Sequence, residues 1–366
     1  MPLMRKNVVI GDRQYSIHTD GEYGKHLAER FEPATSALIA ALCEPTSSVL
    51  DVGANIGITA LLFGARAHAG AVHAVEPVPS AYALLQENVS AANANNVHLY
   101  NFALGANPGS VLMQGHRENL SGSFVADRHS IEDDGHFTTE VQLHRLDDVI
   151  ASMNLDRLDL IKMDIEGYEL DALEGAKHTL ETHKPIVMLE MNYVALNLWR
   201  RMSLPDFRDR LLSIFPHVYA VQDGQWLDFT DTKQSHQIQF NHLTTWAFMD
   251  IVAGYDDALL RERLQRMGGM REHFDRSSMK FETPPFLRQR IAEQERQISH
   301  LNAELEKASV RAESEAALQK NERREDAAQL RIELNAAQQQ AAALQASTSW
   351  RVTAPLRAVK RLFMSN

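Results

Sequence analysis

The residues whose types and spacing point most directly to chemistry lie within 49–63, VLDVGANIGITALLF. A short apolar run ends there in Asp51. Gly53, Asn55 and Gly57 follow it in the spacing D-x-G-x-N-x-G, directly before a predicted helix. Glycine in such a turn can adopt positive φ and lets a ligand approach the backbone, and the free N–H groups of the helix start face that ligand. The pattern predicts a nucleotide-type cofactor site at the carboxyl end of the first strand of an α/β sheet.

The same turn favours S-adenosylmethionine over a dinucleotide. A dinucleotide fingerprint has the pattern G-x-G-x-x-G, in which three glycines let a pyrophosphate lie against the helix. Asn55 occupies a position where that pattern has glycine, and the acidic Asp51 at the strand end suits a ligand with a charged amine. Glu76 follows about 20 residues beyond the turn and would accept hydrogen bonds from the ribose hydroxyls of either cofactor. NAD therefore stays open as an alternative at this point.

Two further predicted strands would complete an adenosine pocket. Residues 71–77, AVHAVEP, form an apolar strand that ends in the glutamate just described, and residues 97–104, VHLYNFAL, form the third strand. Asn101, Phe102 and Ala103 would lie at or near the exit of that third strand, beside the expected position of the adenine ring. Phe102 is equally consistent with an aromatic residue of the core.

Two carboxylates follow another buried-type strand, 158–163. Asp164 and Glu166 stand at its carboxyl end, where α/β sheets place ligands. Methyl transfer from a sulfonium to a hydroxyl depends on orientation and on a base, and one of two neighbouring carboxylates has a raised pKa that suits a base. The same pair suits a divalent metal ion, or Glu166 caps the next helix while Asp164 orders the turn. Lys162 either neutralises the carboxylates or is an ordinary paired or solvated lysine.

A second group of candidates would contact the acceptor. Residues 184–192, KPIVMLEMN, are predicted as a strand that ends in Glu190 and Asn192, which either reach an acceptor hydroxyl or cap the following helix. Residues 8–18 are predicted as a β-hairpin, and the segment before the first sheet strand is expected to cover the active site. Glu32 precedes the helix that leads into that strand.

The last two predicted strands of the sheet are 215–221 and 245–252. A polar, histidine-containing loop over 224–242 would join them, and it suits acceptor contact. The 16 histidines of the chain are scattered, without the spacing of a metal cluster. A divalent metal at the carboxylates is therefore an option, but it is not expected.

Five separated motifs resemble the FkbM-type S-adenosylmethionine-dependent methyltransferases: DVGANIG, HAVEPVPSAYALLQEN, NFALG, VQLHRLDDVI and LDLIKMDIEGYELDALEGA. They occur in the family's order across residues 32–253, and IKMDIEGYE is the most diagnostic. The resemblance implies a Rossmann-like class I methyltransferase fold, with a seven-stranded, mostly parallel sheet whose last strand is antiparallel. It also implies methyl transfer to an oxygen, commonly a hydroxyl of a sugar, glycan or polyketide-like acceptor. Members of this family often carry an acidic residue near Glu32.

Composition changes sharply after two prolines at 284 and 285. Glycine and proline are absent from residues 286–346, and apolar or small residues recur there in steps of three and four, which indicates a coiled coil. The seam residues are Leu287, Ile291, Gln294, Ile298, Leu301, Leu305, Ala308 and Ala312 and, after a phase break, Leu330, Leu334, Ala337, Ala341 and Leu344. A single solvated helix is the alternative. Self-association through a coiled coil is the favoured interpretation.

The C-terminal tail, 347–366, is basic and amphipathic. Arg351, Arg357, Lys360 and Arg361 lie among apolar residues, without any acidic side chain. Such a segment can lie in a membrane interface, or it can dock on a partner protein. It resembles a short segment that follows coiled coils in bacterial glycosyltransferases and polysaccharide-assembly proteins.

The expected organisation has five parts: an N-terminal hairpin and cover segment (1–31), a methyltransferase domain that binds S-adenosylmethionine (32–255), a helical linker (256–285), a coiled coil (286–346) and the basic tail (347–366).

Composition also limits the class of protein. The net charge of −11 and the pI near 5.8 argue against nucleic-acid binding, which needs a basic face. A single cysteine, Cys43, excludes internal disulfides and fits a reducing compartment. The N-terminus lacks a signal-peptide pattern, and no stretch approaches the roughly 20 apolar residues of a membrane span. We therefore expect a cytoplasmic protein, with peripheral contact at the inner face of a bacterial membrane as an option for the tail.

Three functions are compatible with these patterns. The leading hypothesis is an O-methyltransferase that acts on a sugar of a bacterial surface polysaccharide, such as an O-antigen or capsule, beside a glycosyltransferase partner. The alternatives are an NAD-linked oxidoreductase and a non-catalytic coiled-coil scaffold of a glycan-assembly complex. Asn55 speaks against the oxidoreductase, and an intact turn together with Glu76 speaks against the scaffold.

Overall fold

The computed structural model of the chain describes residues 3–117, 119–278, 296–297, 300–302, 304 and 329–340. The chain divides into two compact units, 1–274 and 275–366. All of the sheets among the described residues belong to the first unit.

The strands are β1 (Leu3–Ile10), β2 (Arg13–Asp20), β3 (Ser48–Val52), β4 (Ala71–Val75), β5 (Val97–Tyr100), β6 (Ala103–Leu104), β7 (Gly109–His116), β8 (Asn119–Val125), β9 (His136–His144), β10 (Leu160–Met163), β11 (Ile186–Glu190), β12 (His217–Gln222), β13 (Gln225–Asp228) and β14 (Asp250–Gly254). The helices are α1 (Gly21–His26), α2 (Pro33–Leu42), α3 (Ile58–Arg66), α4 (Pro79–Ala91), α5 (Leu146–Val149), α6 (Glu169–Glu174), α7 (Lys177–His183), α8 (Tyr193–Leu198), α9 (Leu204–Ile214), α10 (Thr232–Thr245), α11 (Asp257–Gln265) and α12 (Met267–Ser278).

The larger sheet has eight strands in the order β13-β12-β14-β11-β10-β3-β4-β5. The strands from β11 to β5 pair in parallel, whereas β14 is antiparallel to both β11 and β12. This confirms the predicted Rossmann-like α/β fold, a mostly parallel sheet with its last strand inserted antiparallel. The predicted number of seven strands omits β13, which folds back from β12 through Asp223 and Gly224, two residues with positive φ.

The central strands are apolar at successive positions because both faces of the sheet are covered by helices. Val49 packs on one face, in the cluster that contains Leu38 of α2 and Leu61 of α3. Leu50 packs on the other face, in the cluster that contains Phe207 of α9. Val49 and Leu50 therefore anchor β3 in both layers of the core, and β3 leads directly into the glycine turn 53–57, called the cofactor turn after its predicted role.

The prediction of one continuous strand over 97–104 is wrong. β5 covers only its first half, and β6 belongs to a separate four-stranded sheet in the order β6-β9-β7-β8. The neighbouring β4 ends at Val75, so a longer β5 would have no strand to pair with. The side-chain amide of Asn101 instead donates to the carbonyl oxygens of Glu76 (2.8 Å) and Pro77 (3.1 Å). The four-stranded sheet has no counterpart among the sequence-based expectations.

The segment 224–242 is not the predicted loop. It contains β13 and most of helix α10, whose N-terminus is capped by the side chain of Asp231. The last strand begins at Asp250, later than predicted, because Trp246 and Phe248 both have positive φ and interrupt the extended backbone.

The N-terminal hairpin of β1 and β2 includes the predicted residues 8–18 and extends beyond them at both ends. A buried side-chain amide attaches this hairpin to the cofactor turn. Asn88 of α4 is 1% exposed. Its Nδ2 donates to the carbonyl oxygens of Ile56 (2.8 Å) and His18 (2.9 Å), and its Oδ1 accepts from the N–H of His18 (2.6 Å). One side chain thus joins the hairpin to the turn that precedes α3.

In the second unit, residues 329–340 are helical, and Leu334 and Ala337 of the predicted seam are buried. Most other seam residues and the tail 347–366 lie outside the described residues, so the coiled coil stays a prediction. Within the described part of the chain, no helix is long and apolar enough to cross a membrane.

We expect Asn88→Ala to lower the free energy of unfolding by about 1–3 kcal/mol, because backbone groups of the hairpin and the turn lose their buried partner. Urea-induced unfolding followed by circular dichroism measures this loss. Asn95→Ala, at an exposed position beyond the same helix, is the control and should change stability by less than about 0.5 kcal/mol. Equal effects of the two substitutions would contradict the role of Asn88.

Candidate active site

A cavity of about 500 Å³ lies at the carboxyl ends of the parallel strands. The predicted site residues that line it are Gly53, Asn55, Glu76, Phe102, Ala103, Lys162, Asp164, Glu166, Glu190 and Glu32. The predicted residues Asp51, Gly57, Asn101 and Asn192 are not part of the lining. They support the cavity wall through contacts with residues that are.

Glycine is needed in the cofactor turn for packing as well as for the approach of a ligand. Gly53 has φ +78°, and a Cβ there would lie 2.0 Å from the carbonyl oxygen of Asp164. Gly57 has φ +95° and is the N-cap of α3, where a Cβ would lie 2.7 Å from Leu85. Gly53 therefore lets the turn after β3 approach the turn after β10, whereas Gly57 allows α3 to pack on α4.

Glu76 holds the cofactor turn from the end of β4. Its Oε2 accepts from the N–H of Asn55 (2.8 Å), and its Oε1 accepts from the N–H of Val78 (2.8 Å). Burial is the main cause that raises the pKa of Glu76 to about 7. Each carboxylate oxygen has a second lone pair, so Glu76 can hold the turn and also accept a ribose hydroxyl. Ribose binding itself stays a prediction.

Asn55 offers an acceptor in the wall of the cavity. Its Oδ1 is buried and has no hydrogen-bond partner among the described residues, although its backbone is held by the glutamate after β4. A buried carbonyl oxygen of this kind favours a ligand that brings a donor, because an unpaired polar group is costly. The residues of the turn therefore fit a cofactor that carries N–H or O–H groups.

Lys162 joins the ends of two strands. Its Nζ lies 3.6 Å from Oδ1 of Asp51 and 3.3 Å from Oδ2 of Asp164, and it donates to the carbonyl oxygen of Gly53 (3.3 Å). Asp51 is fully buried, and its other carboxylate oxygen accepts from the hydroxyl of Thr59 (2.8 Å). Asp51 thus acts on the site through Lys162. Lys162 is therefore paired with both carboxylates, and its catalytic role stays a prediction.

Carboxylates crowd the part of the cavity formed by β10, β11 and β14. One oxygen each of Asp164, Glu166 and Glu190 lies within 4.8 Å of the other two, and Asp250 and Glu32 line the same cavity. Burial, followed by repulsion between carboxylates, raises the pKa of Glu166 to about 8 and that of Glu190 to about 10. The same causes raise the pKa of Asp250 to about 7. Glu166 and Asp250 can therefore exchange protons near neutral pH.

The three clustered carboxylates also suit a hard divalent cation. Mg²⁺ and Ca²⁺ take oxygen ligands of this type, and such an ion would neutralise the carboxylates and polarise an acceptor hydroxyl. The expectation that the site works without a resident metal stays a prediction.

The turn after β10 positions Glu166 and is capped by another glutamate. Glu166 and Gly167 have φ values of +53° and +89°. Oε1 of Glu169 accepts from the N–H groups of Ile165 (3.0 Å) and Gly167 (3.3 Å) and so holds the turn, whereas the N-cap of α6, Tyr168, makes no side-chain capping bond. Asn192 caps α8, and its side-chain amide also lies 3.5 Å from Oε2 of Glu166. Both the turn and Asn192 therefore place Glu166 in the cavity wall.

Arg200 supports this turn, and no local sequence signal marks it. Its side chain is 1% exposed and forms ion pairs with Asp127 and with Asp171, the latter at 2.9 Å. Its guanidinium lies 4.5 Å from the ring centroid of Tyr168, which lines the cavity. Only the fold brings Arg200 and Asp127 to the start of α6, where Tyr168 and Asp171 lie, because these three segments are distant in the sequence.

Other cavity residues were also absent from the sequence-based expectations. Asp250 begins β14 and pairs with Glu190 of β11; an acidic residue at the start of an antiparallel strand was the available signal. Tyr23 and Phe31 line the cavity from the N-terminal segment, in line with its expected covering role. Met113 and its neighbours reach the cavity from the unpredicted four-stranded sheet.

A comparison with known protein families covers most residues of this site. Residues 51–223 match the family model described as Methyltransferase FkbM domain. The FkbM match includes all of the predicted cofactor-binding and catalytic residues, whereas the cavity residues Glu32 and Asp250 lie outside it.

Curated relatives carry methyltransferase names. Methyltransferase 1 of Beauveria bassiana is 28% identical over 144 residues, which are 35% of this chain and 58% of the relative. The 2-O-methyltransferase NoeI of Sinorhizobium fredii is 28% identical over 177 residues, 43% of this chain and 70% of the relative. The hexuronic acid methyltransferase AglP of Haloferax volcanii is 26% identical over 132 residues, 36% of this chain and 51% of the relative. The chain thus spans little more than half of two of these relatives, and the FkbM match together with the names supports a methyltransferase.

We expect Lys162→Met to lower the free energy of unfolding by about 3–5 kcal/mol, because it leaves the buried Asp51 without its cation. The double substitution Lys162→Met/Asp51→Asn should recover part of this loss, since it removes both buried charges. Denaturant unfolding at pH 7 measures the free energies of unfolding of the unaltered chain, the single variant and the double variant. Lys233→Met, at an exposed position, is the control. A double variant as unstable as the single one would contradict the ion-pair role.

Proposed function

We propose that this chain is an S-adenosylmethionine-dependent O-methyltransferase that acts on a hydroxyl of a sugar. One observation carries the proposal: a glycine turn held by Glu76 and the carboxylates Asp164 and Glu166 line a single cavity. The first part suits an adenosine-containing cofactor, and the second suits removal of a proton from an alcohol. The FkbM match and the names of the relatives support the same reaction class.

The charge of the cavity supports S-adenosylmethionine over NAD. Lys162 is the only basic side chain in the described lining, and several carboxylates surround it. S-adenosylmethionine carries a sulfonium and an ammonium group, which these carboxylates would stabilise. The pyrophosphate of NAD would instead add negative charge to an acidic cavity, and Asn55 replaces the glycine that a pyrophosphate-binding turn has.

Glu166 is the proposed general base. When bound, S-adenosylmethionine supplies an electrophilic methyl group. Asp164 is engaged by Lys162 at 3.3 Å and is suited to orient the acceptor hydroxyl. Glu166 has a raised pKa near 8 and is positioned by Asn192, so it is suited to accept the hydroxyl proton as the oxygen attacks the methyl carbon.

The acceptor and the cellular setting are further parts of the proposal. A sugar acceptor is supported by the family resemblance and by the name of AglP, and transfer to oxygen by the name of NoeI. A role in bacterial surface polysaccharide synthesis would use the predicted coiled coil, 286–346, for self-association. The tail, 347–366, would hold the enzyme at the cytoplasmic face of the membrane or beside a glycosyltransferase.

Calorimetric titration with S-adenosylmethionine, S-adenosylhomocysteine and NAD tests the cofactor. We expect micromolar binding of the two sulfur ligands and a loss of at least tenfold in Glu76→Gln, because hydrogen bonds from the ribose lose an anionic acceptor. Glu181→Gln, at an exposed position, is the control, and circular dichroism checks that each variant is folded. Binding of NAD alone would replace the proposal by the oxidoreductase, and binding of none of the three would favour the scaffold.

The pH dependence of turnover tests the base. Glu166 must be ionised to accept a proton, so kcat should rise as the pH rises through about 8, the raised pKa of this group. Glu166→Gln should lower kcat by about 10²- to 10⁴-fold and remove this rise. Glu174→Gln, at an exposed position, should keep the wild-type profile.

The same assay, repeated with EDTA and with added Mg²⁺, tests the metal. Unchanged turnover under both conditions agrees with a base that works without a resident cation. Loss of turnover in EDTA that Mg²⁺ restores would instead assign the carboxylates to a metal ion.

A further inference from the structure

The four-stranded sheet forms one wall of the cavity, and the reaction described above gives this wall no role. Met113 of β7 and Leu120, Ser121, Ser123 and Val125 of β8 all line the cavity. Three of them are apolar and belong to the hydrophobic core: Met113, Leu120 and Val125. We call these three residues the apolar wall.

The pairing of β7 with β8 brings the apolar wall to one face of the sheet. Val125 lies directly opposite Met113 in this pairing, so their side chains are neighbours on the same face. Phe124 points to the other face, because successive side chains of a strand alternate. Its ring stacks there on Trp199, the residue after α8, with the ring centroids 4.0 Å apart. This stack fixes β8 with Val125 turned toward the cavity.

Arg200 joins the end of β8 to the turn that carries the proposed base. Its guanidinium forms ion pairs with Asp127, just beyond β8, and with Asp171 of α6 (2.9 Å). The same guanidinium lies 4.5 Å from the ring centroid of Tyr168, which lines the cavity next to Glu166. The end of β8 is therefore held against the turn after β10. An acceptor whose hydroxyl reaches the base would have its neighbouring atoms beside the apolar wall.

The cavity thus offers an acceptor two unlike surfaces. Glu166, Glu190 and Asp250 accept hydrogen bonds from hydroxyl groups. Ser123, beside Val125 on β8, donates its own proton to the carbonyl oxygen of Leu120 (2.9 Å), so it too is suited to accept from a ring hydroxyl. The apolar wall provides no comparable partner.

An apolar group of the acceptor matches this wall. A hydroxyl placed against it would lose its hydrogen bonds with water, whereas a methyl group gains from the same contact. We propose that the apolar wall binds the C6 methyl group of a 6-deoxyhexose, one of whose ring hydroxyls is methylated. This inference rests on the proposed function and narrows its sugar acceptor to one chemical class.

Saturation-transfer NMR with matched glycosides tests the apolar wall without requiring turnover. The probes are the methyl glycosides of glucose, galactose and mannose, each paired with its 6-deoxy counterpart, so that the members of a pair differ only by the C6 hydroxyl. Each is added with S-adenosylhomocysteine. We expect the 6-deoxy member of at least one pair to bind about tenfold more tightly, because its partner must bring a hydroxyl into an apolar site. Butyl glucoside, whose apolar group lies on the aglycone, is the comparison.

Substitutions in the sheet test whether these side chains set the preference. Val125→Thr and, at the facing position, Met113→Gln make the wall polar with little change of shape, and each should lower the preference by about fivefold. Met113→Leu keeps the wall apolar and should keep the preference. Val111→Thr is the control, since it makes the same change in β7 at a partly buried position outside the described cavity lining. Circular dichroism checks that each variant is folded.

The outcomes separate this inference from the proposed function. A preference for a 6-deoxy glycoside that the polar variants lose, with binding of S-adenosylhomocysteine unaltered, supports the apolar wall. Equal affinity within every pair, a preference that survives both polar variants or is lost equally in Val111→Thr, a gain from the butyl group alone, or binding of no glycoside overturns it while the methyltransferase proposal stands. Failure to bind either sulfur ligand overturns the proposed function itself.

Discussion

The rest of the site depends on the ion pairs that the buried ammonium group of Lys162 forms with Asp51 and Asp164. A charge in the interior is stable only when opposite charges and hydrogen-bond acceptors surround it, and Lys162 finds them in Asp51, Asp164 and the carbonyl of Gly53. These partners belong to the ends of β3 and β10, so the ion pair sets the separation of the two turns. Gly53 is needed for the same close approach of the two turns, because a side chain at this position would collide with the carbonyl oxygen of Asp164.

The direction of β14 determines which of its residues line the cavity beside Glu166 and Glu190. The parallel strands bring their carboxyl ends to the cavity, but β14 runs antiparallel between β11 and β12 and presents its first residue at that edge. Asp250 therefore lies opposite Glu190, and the residue before β14, Met249, also lines the cavity. A parallel strand in this position would present Gly254 there instead. The antiparallel insertion thus adds a carboxylate to this edge.

The parts of the site that follow a strand directly could be predicted from the sequence. The glycine turn, Glu76 and Glu166 each come at the end of an apolar run, and the carboxyl ends of such runs meet at one edge of a parallel sheet. Arg200 and Asp250 could not be found in this way, because their positions depend on how distant elements pack. The division of 97–104 between two sheets could not be predicted from the sequence either, since it depends on where the neighbouring β4 ends.

The charge of the cavity limits what it can hold. Burial, followed by repulsion between carboxylates, raises the pKa of Glu166, Glu190 and Asp250, which means that ionising all three groups together is costly. A ligand offsets this cost if it brings positive charge or hydroxyl donors, and it adds to the cost if it brings phosphate or carboxylate. The sulfonium cofactor and the hydroxyl acceptor of the proposed function both meet this condition. The excess of acid in the cavity therefore favours both partners of the proposed reaction.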